Sequence, residues 1–306
     1  MAERIRLSSI EGGNNWWITL NWAARSFRNA GFEVEVTRRG TAASDTILRV
    51  VRGEADIAVT LGISAAQAAK GLGIYKSGAG RDIRGLALML RPGHHFYNMV
   101  RADTGIRSFE DIAKKKPKLD IQVGEAEFVA GEITATYLQH YGVDLYRDIE
   151  AWGGSLQTAF SESVPLLVAG RSNAIMRENT ARGPAGFAAQ MSEWTLLPLD
   201  CDIADRIERE FCAPAITLPP GTLRGQKEPC LTVTDPGYPI VINKDIPNDV
   251  VYRLAKALNE SSPAHWASED IFYSTRHAPH AGAPLHPGAE TYYDEVSARY
   301  ARQVSA

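Results

Sequence analysis

The feature that most constrains the fold is a repeated succession of strand and helix patterns in the first third of the chain. Residues 5–10 and 32–37 alternate apolar and polar side chains as strands do, and a helical pattern between them ends at Gly31. Residues 55–60 are almost all apolar, as a parallel strand covered on both faces requires. Two strand–helix–strand units in succession predict an open α/β sheet with right-handed crossovers.

A second set of elements repeats this order of strand, loop and helix. Extended segments at 96–101 and 239–243 can carry the chain from the first set to the second and back again. The pattern predicts two α/β lobes: residues 1–102 as the first part of lobe I, 103–235 as lobe II, and 236–306 as the return to lobe I. The elements predicted after residue 102 are strands at 119–123 and 173–176, and helices at 128–141, after Ser161, from Pro184, at 248–258 and at 289–303. The last two helices are expected to pack on lobe I.

Composition argues against several classes of partner. The 306 residues carry a formal net charge of −3, and the longest basic run is Lys114-Lys115-Lys116, so nothing attracts nucleic acid or an anionic membrane. No stretch approaches the roughly 20 apolar residues of a membrane span, and direct membrane insertion is not expected. The three cysteines lack the spacing of a metal site. Neither a metal nor a cofactor is expected.

The first residues leave two alternatives for the compartment. Residues 5–10 predict a short strand rather than the apolar core of a signal peptide. Either Met1 is the native start and the protein is cytoplasmic, or Met1 was added to a mature periplasmic form. Ala2-Glu3 would suit the residues just after a cleavage site.

Six segments spread along the chain together resemble one family. They comprise a Gly-rich turn with two aromatic residues at 12–17, a helix-to-strand turn at 52–58, a hinge and its helix at 100–112, and the stretches 160–164, 218–222 and 284–290. With these segments in order, the chain resembles the solute-binding receptors of TAXI-type tripartite ATP-independent periplasmic (TRAP) transporters. The resemblance extends over nearly the full length.

The resemblance implies a type II periplasmic-binding fold, in which two α/β lobes are joined by two crossing strands and a ligand cleft lies between them. It also implies a receptor that closes on a small carboxylate-bearing molecule by hinge motion and serves TRAP membrane subunits. Ligands of open α/β sheets bind beyond the carboxyl ends of the strands, where helix N-termini favour anions. The loops at these ends therefore supply the candidate ligand-binding residues.

Lobe I candidates lie in the first, second and third of these loops. Asn14 and Asn15 follow two glycines in a turn that suits close approach of a ligand. Trp17 fits the apolar face of its helix and is expected in the core, whereas Trp16 lies off that face and is expected to contact the ligand. The remaining candidates are Thr41, Leu61 and two hydroxyls that are expected to cap helices and can also touch a ligand, those of Ser44 and Ser64.

Lobe II offers one cation among several acids. Arg177 directly follows an apolar strand, and its guanidinium can hold a carboxylate through two parallel hydrogen bonds. The alternative is a structural ion pair of Arg177 with Glu178, Glu125 or Glu127. Glu125 and Glu127 can equally receive an amino group of the ligand or face solvent. The last two candidates are Phe128 and Asn179.

The nature of the ligand and of the activity stays open between alternatives. Trp16 and Phe128 suggest a carboxylate with an aromatic or bulky apolar body, and the alternative is a small amino acid or keto acid. No motif of catalytic residues is evident, and no catalytic residue is assigned. The competing function is a decarboxylase-like enzyme that acts on an aromatic acid on the same fold, with His94-His95 near the cleft. His286 lies in a Pro- and Gly-rich stretch and is expected to be structural.

Overall fold

The computed structural model describes residues 3–11, 14–40, 43–124, 129–235, 237–261 and 271–304. The chain divides into two units: unit 1 is Met1–Pro92 with Pro236–Ala306, and unit 2 is Gly93–Asp235. The first boundary thus precedes residue 102, because the strand that begins at His95 pairs entirely within unit 2. The second boundary lies between Asp235 and Pro236.

The first part of unit 1 alternates strands and helices, as its apolar patterns predict. Strand β1 pairs in parallel with β2 on one side and with β3 on the other. The elements are β1 (Arg4–Ser9), α1 (Asn14–Asn29), β2 (Glu33–Arg38), α2 (Ala43–Val51), β3 (Ile57–Val59), α3 (Gly62–Lys70) and β4 (Ile83–Leu90).

Unit 2 repeats this arrangement and adds a small second sheet. Strand β6 pairs in parallel with β7 and β8, while β5 runs antiparallel to β8 and β9. The elements are β5 (His95–Arg101), α4 (Phe109–Lys115), β6 (Asp120–Val123), α5 (Val129–His140), α6 (Asp148–Ala151), β7 (Ser155–Gln157), α7 (Ser163–Val168), β8 (Ala174–Asn179), α8 (Pro184–Met191), β9 (Trp194–Leu196), α9 (Cys201–Phe211), β10 (Ala215–Leu218) and β11 (Cys230–Val233).

The last part of the chain completes unit 1. Strand β12 enters its sheet antiparallel between β3 and β4. Helices α10 and α11 contribute buried residues to the same core as α1 and β1. The elements are β12 (Gly237–Asn243), α10 (Asn248–Glu260), β13 (Phe272–Tyr273) and α11 (Pro287–Val304).

The main sheets of the two units share one strand order. In the described residues, unit 1 has the order β13-β4-β12-β3-β1-β2 and unit 2 the order β7-β6-β8-β5-β9. In unit 1, β1 lies between β2 and β3, and the antiparallel β12 lies beside β3. In unit 2, β6 lies between β7 and β8 in the same way, and the antiparallel β5 lies beside β8. The chain therefore changes its direction across the sheet between the first and third parallel strands, and we call this place the reversal point. The expected α/β fold class is confirmed.

Three local predictions need correction. Strand β8 extends to Asn179, so Arg177 lies within the strand and not in the loop after it. The strand is longer than its apolar run because β5 pairs with it along its whole length. Neither Ser44 nor Ser64 caps a helix, since Ser44 lies inside α2 and α3 begins at Gly62 with Leu61 at its N-cap.

Candidate functional site

In unit 1 the reversal point lies between the carboxyl ends of β1 and β3. Ser9 ends β1 and Thr60 directly follows β3, and both are fully buried. The Thr60 hydroxyl donates to the carbonyl of Ala43 (3.2 Å), and Ser9 Oγ has no hydrogen-bond partner among the described residues. Ligands of open α/β sheets bind at such a point, so these hydroxyls mark where unit 1 is expected to contact one.

The sequence-based candidates of unit 1 lie around this point with different exposure. Ser64 is buried in the first turn of α3, whereas Leu61, Ser44 and Asn15 are half-buried. Asn14 begins α1, and Thr41 lies outside the described residues. The role of these residues in binding stays a prediction.

The two tryptophans of α1 differ from expectation. Trp16 is 8% exposed, and its ring packs against that of Tyr238 with centroids 5.6 Å apart. Trp17 is 37% exposed, and the Arg38 guanidinium carbon lies 4.4 Å from its ring centroid. The prediction that Trp17 lies in the core is therefore wrong, because the buried face of α1 includes Trp16 instead. Contact between Trp16 and a ligand stays a prediction.

In unit 2 the reversal point is occupied by Arg177, which is only 7% exposed. Its Nη1 donates to the carbonyls of Val123 (3.4 Å) and Thr158 (3.2 Å). Val123 ends β6 and Thr158 follows β7, so these two bonds hold the guanidinium at the carboxyl ends of the parallel strands.

Glu178 places a negative charge beside Arg177. Its Oε1 lies 3.6 Å from Arg177 Nη2, which is within ion-pair distance and longer than a hydrogen bond. One alternative from the sequence, an ion pair of Arg177 with Glu178, is thus observed. Glu178 Oε2 is buried and has no hydrogen-bond partner among the described residues. A buried acceptor without a donor is destabilising, so a donor placed here by a ligand would stabilise the site.

Four polar side chains, which we call the β5–β8 polar group, share one face of the sheet at the end of β8. The register places His95 opposite Asn179 and Tyr97 opposite Arg177, and opposite residues of an antiparallel pair point to the same face. Asn179 is 1% exposed; its Oδ1 accepts from the Thr180 N–H (2.8 Å), and its Nδ2 has no partner among the described residues.

Hydrogen bonds fix both rings of the β5–β8 polar group. His95 Nδ1 lies 2.9 Å from Thr234 Oγ1, and the Thr234 hydroxyl donates to the carbonyl of His94 (2.8 Å). The Tyr97 hydroxyl donates to the carbonyl of Gly93 (3.2 Å). Burial lowers the pKa of His95 and raises the pKa of Tyr97 to about 12, so both rings are neutral at pH 7.

Some predicted site residues of unit 2 cannot be placed, and other residues join the site. Glu125, Glu127 and Phe128 lie outside the described residues. The sequence drew attention to His95 only as a neighbour of His94. Thr234 gives no sequence signal, since it is 139 positions away from His95.

A second group of ionisable side chains lies on the surface of unit 2. Potential metal-ligand atoms of His140, Asp200 and Asp202 lie within 4.8 Å of one another, and all three residues are exposed. Exposed acidic groups of this kind are common without an ion. In the part of the chain that the structure describes, no helix is long and apolar enough to cross a membrane.

Comparison with known proteins identifies the family. The model of the NMT1-like family matches residues 21–296. The periplasmic binding protein BugD is similar with a TM-score of 0.52 and 12% identity, over 96% of this chain and 97% of that chain. PhnD1 from Prochlorococcus marinus, solved in complex with methylphosphonate, has a TM-score of 0.52 and 11% identity, over 89% of this chain and 93% of that chain.

No curated protein matches the chain. At these low identities the similarity to solved structures shows the fold alone, whereas the family match spans most of the sequence. The chain therefore belongs to the NMT1-like family and has the fold of the periplasmic binding proteins.

Proposed function

We propose that this protein is a solute-binding receptor that captures a small carboxylate-bearing molecule for a secondary transporter. The observation that carries this proposal is the buried Arg177, held at the reversal point of unit 2 in a chain of periplasmic-binding fold. The resemblance to TAXI-type receptors extends the proposal to TRAP membrane subunits as partners and to a periplasmic location. It also implies a closing motion on binding, which stays a prediction.

The contacts of Arg177 support an anionic group as its ligand. Two backbone carbonyls orient the guanidinium before any solute binds, so little conformational entropy is lost on binding. The Glu178 carboxylate lies 3.6 Å from Nη2, beyond hydrogen-bond distance, so this pair lacks the two parallel hydrogen bonds that a guanidinium can form with a solute carboxylate. The low exposure strengthens such a charged hydrogen bond relative to one in water.

The contacts of Trp16 favour a small solute over an aromatic one. Trp16 packs on Tyr238 in the core of unit 1 and is 8% exposed, so it offers a ligand less apolar surface than the sequence suggested. The Arg177–Glu178 pair carries no net charge and presents both signs. A solute with a carboxylate and a second polar group suits such surroundings better than one with a bulky apolar body.

Calorimetric titration against a panel of small organic acids tests the proposal. The panel contains unsubstituted, hydroxy, keto, amino and aromatic acids, each also recovered after incubation and analysed by NMR. We expect at least one acid to bind and to be recovered intact. Release of carbon dioxide from an aromatic acid would instead support the decarboxylase-like enzyme.

Variants of Arg177 show whether the binding occurs where we propose. Arg177→Ala should weaken binding of that acid by about 2–4 kcal/mol, the range for loss of one partner of a buried charge pair. Arg177→Lys should recover only part of this loss, because an ammonium cannot form two parallel hydrogen bonds. Arg171→Ala is the matched control, since Arg171 is exposed in the same unit. Unchanged affinity in both Arg177 variants, with native circular dichroism, would contradict the proposed site.

A further inference from the structure

The hydrogen bonds around Thr234 determine the tautomer of His95. The Thr234 hydroxyl has one proton, and it donates this proton to the carbonyl of His94 (2.8 Å), which can only accept. Thr234 Oγ1 must therefore accept from His95 Nδ1, 2.9 Å away. His95 carries its proton on Nδ1, and Nε2 presents a lone pair.

That lone pair is available to a ligand. Nε2 makes no hydrogen bond within the described residues, and it keeps contact with solvent. Burial lowers the pKa of the ring, so Nε2 is an acceptor and not a donor at neutral pH.

Asn179 presents the complementary atom on the facing strand. Because its Oδ1 accepts from the Thr180 N–H (2.8 Å), its other terminal atom is the donor Nδ2, which is buried without a partner among the described residues. Asn179 is directly opposite His95, and opposite Cβ atoms on antiparallel strands are about 4.5–5.5 Å apart. The two side chains therefore leave the sheet next to each other on the same face.

We propose that His95 Nε2 and Asn179 Nδ2 together recognise a hydroxyl group of the solute, so that the ligand is a hydroxy acid. A hydroxyl donates to Nε2 and accepts from Nδ2 at once, whereas a keto oxygen only accepts and an ammonium only donates. Arg177, on the same face and diagonal to His95, is the cation for the carboxylate. The inference rests on the proposed function and narrows its substrate class.

Matched acids of the same carbon skeleton test this specificity by calorimetry. In the wild type, the hydroxy acid should bind about 10- to 100-fold more tightly than the unsubstituted or keto acid, because these leave buried polar atoms unpaired. His95→Phe keeps a planar ring without the acceptor, and Asn179→Asp keeps Oδ1 but replaces the donor. In both variants, the ratio of the affinity for the hydroxy acid to that for the unsubstituted or keto acid should be close to one. His277→Phe, at an exposed histidine of unit 1, should leave it unchanged.

Equal or tighter binding of the keto or amino acid would overturn the proposal, as would a hydroxyl preference that survives His95→Phe. Nitrogen-15 NMR of the protein without solute gives a readout independent of binding. We expect His95 in the Nδ1–H form and a mixture of tautomers in Thr234→Val, with Thr222→Val, at a half-buried threonine of the same unit, as its control. Observation of the Nε2–H form would overturn the proposed hydroxyl contact but would leave the proposed function untouched. Failure of every acid to bind would contradict the proposed function and the hydroxyl contact with it.

Discussion

His286 shows how a buried histidine can hold the start of a helix. Its Nδ1 accepts from the Gly288 N–H (3.2 Å), so its Nε2–H donates to the carbonyl of Lys244 (3.1 Å). The ring thus satisfies one N–H of the first turn of α11 and ties that turn to the end of β12. The expected structural role of His286 is confirmed. Protonation of Nδ1 would place two donors, the ring and the Gly288 N–H, against each other.

We therefore expect stability to fall between pH 7.5 and pH 5.5. Burial lowers the pKa of His286, so the unfolded chain binds the proton at a higher pH than the folded one and stability decreases as the pH falls below about 6.5. His95, whose pKa burial also lowers, acts in the same direction. Each group contributes at most about 1.4 kcal/mol per pH unit. Urea unfolding across this range measures the slope.

His286→Asn is the informative variant, because an Asn oxygen can still accept from the Gly288 N–H but does not titrate. This variant should reduce the slope of the free energy of unfolding against pH, whereas His277→Asn, at an exposed histidine, should not. An identical slope in wild type and His286→Asn would show that His286 is not a source of the pH dependence.

Single residues were predictable from the sequence only where one pattern decided their place. At about 100° per residue, Trp16 lies about 40° to one side of Leu20 and Trp17 about 60° to the other, so helical spacing alone hardly separates them. Phe27 lies about 20° from Leu20 on the side of Trp16, so the centre of the apolar face is shifted towards Trp16. The polar side chains of β8 were harder still, since Arg177 and Asn179 become buried through β5, which is distant in sequence.

At the scale of elements, the junction of β8 and α8 depends on one glycine. Gly186 lies in α8, and a Cβ added there would stand 1.6 Å from the carbonyl oxygen of Ala181. Ala181 follows the strand that carries Arg177 and Asn179. The absence of a side chain at Gly186 lets the helix approach the chain just as it leaves the candidate site.

Gly186→Ala should lower the free energy of unfolding by about 2 kcal/mol, because a Cβ so close to a backbone oxygen takes the upper end of the usual overpacking cost, about 3 kcal/mol. The gain of about 1 kcal/mol that alanine brings in helix propensity offsets only part of this cost. Urea unfolding measures the change, and Gln190→Ala on the exposed side of α8 is the control that adds no contact. A variant as stable as the wild type would contradict the close packing of α8 against Ala181.

Most elements followed from sequence, but their partners in the sheet did not. Pro184 opens α8 as expected, since a first-turn proline loses no hydrogen bond. Residues 239–243 were recognised as extended, yet nothing local reveals that β12 lies between β3 and β4. Pro239 even argues against a central strand; its carbonyl nevertheless accepts from the Thr60 N–H, and the pairing with β4 is irregular at the next position, Ile240/Val241.

At the scale of the whole molecule, the two units differ in how continuous they are along the chain. Unit 2 takes every strand of its main sheet from Gly93–Asp235, and its hydrophobic cluster lies within the same range. Unit 1 needs both ends of the chain. In the part of its sheet that the structure describes, β12 lies between β4 and β3 and pairs with both, so Met1–Pro92 alone lacks the strand that joins its parts.

We therefore expect the fragment Gly93–Asp235 to fold alone and Met1–Pro92 to remain unfolded, as judged by circular dichroism and cooperative urea unfolding. A continuous form of unit 1 is the control. Leu90 and Gly237 are register partners on adjacent antiparallel strands, so a two-residue Asn-Gly turn can join them as a β-hairpin. This joined chain contains all six strands of the sheet and should fold cooperatively. Cooperative folding of Met1–Pro92 without β12, or an unfolded joined chain, would contradict the central role of β12 in unit 1.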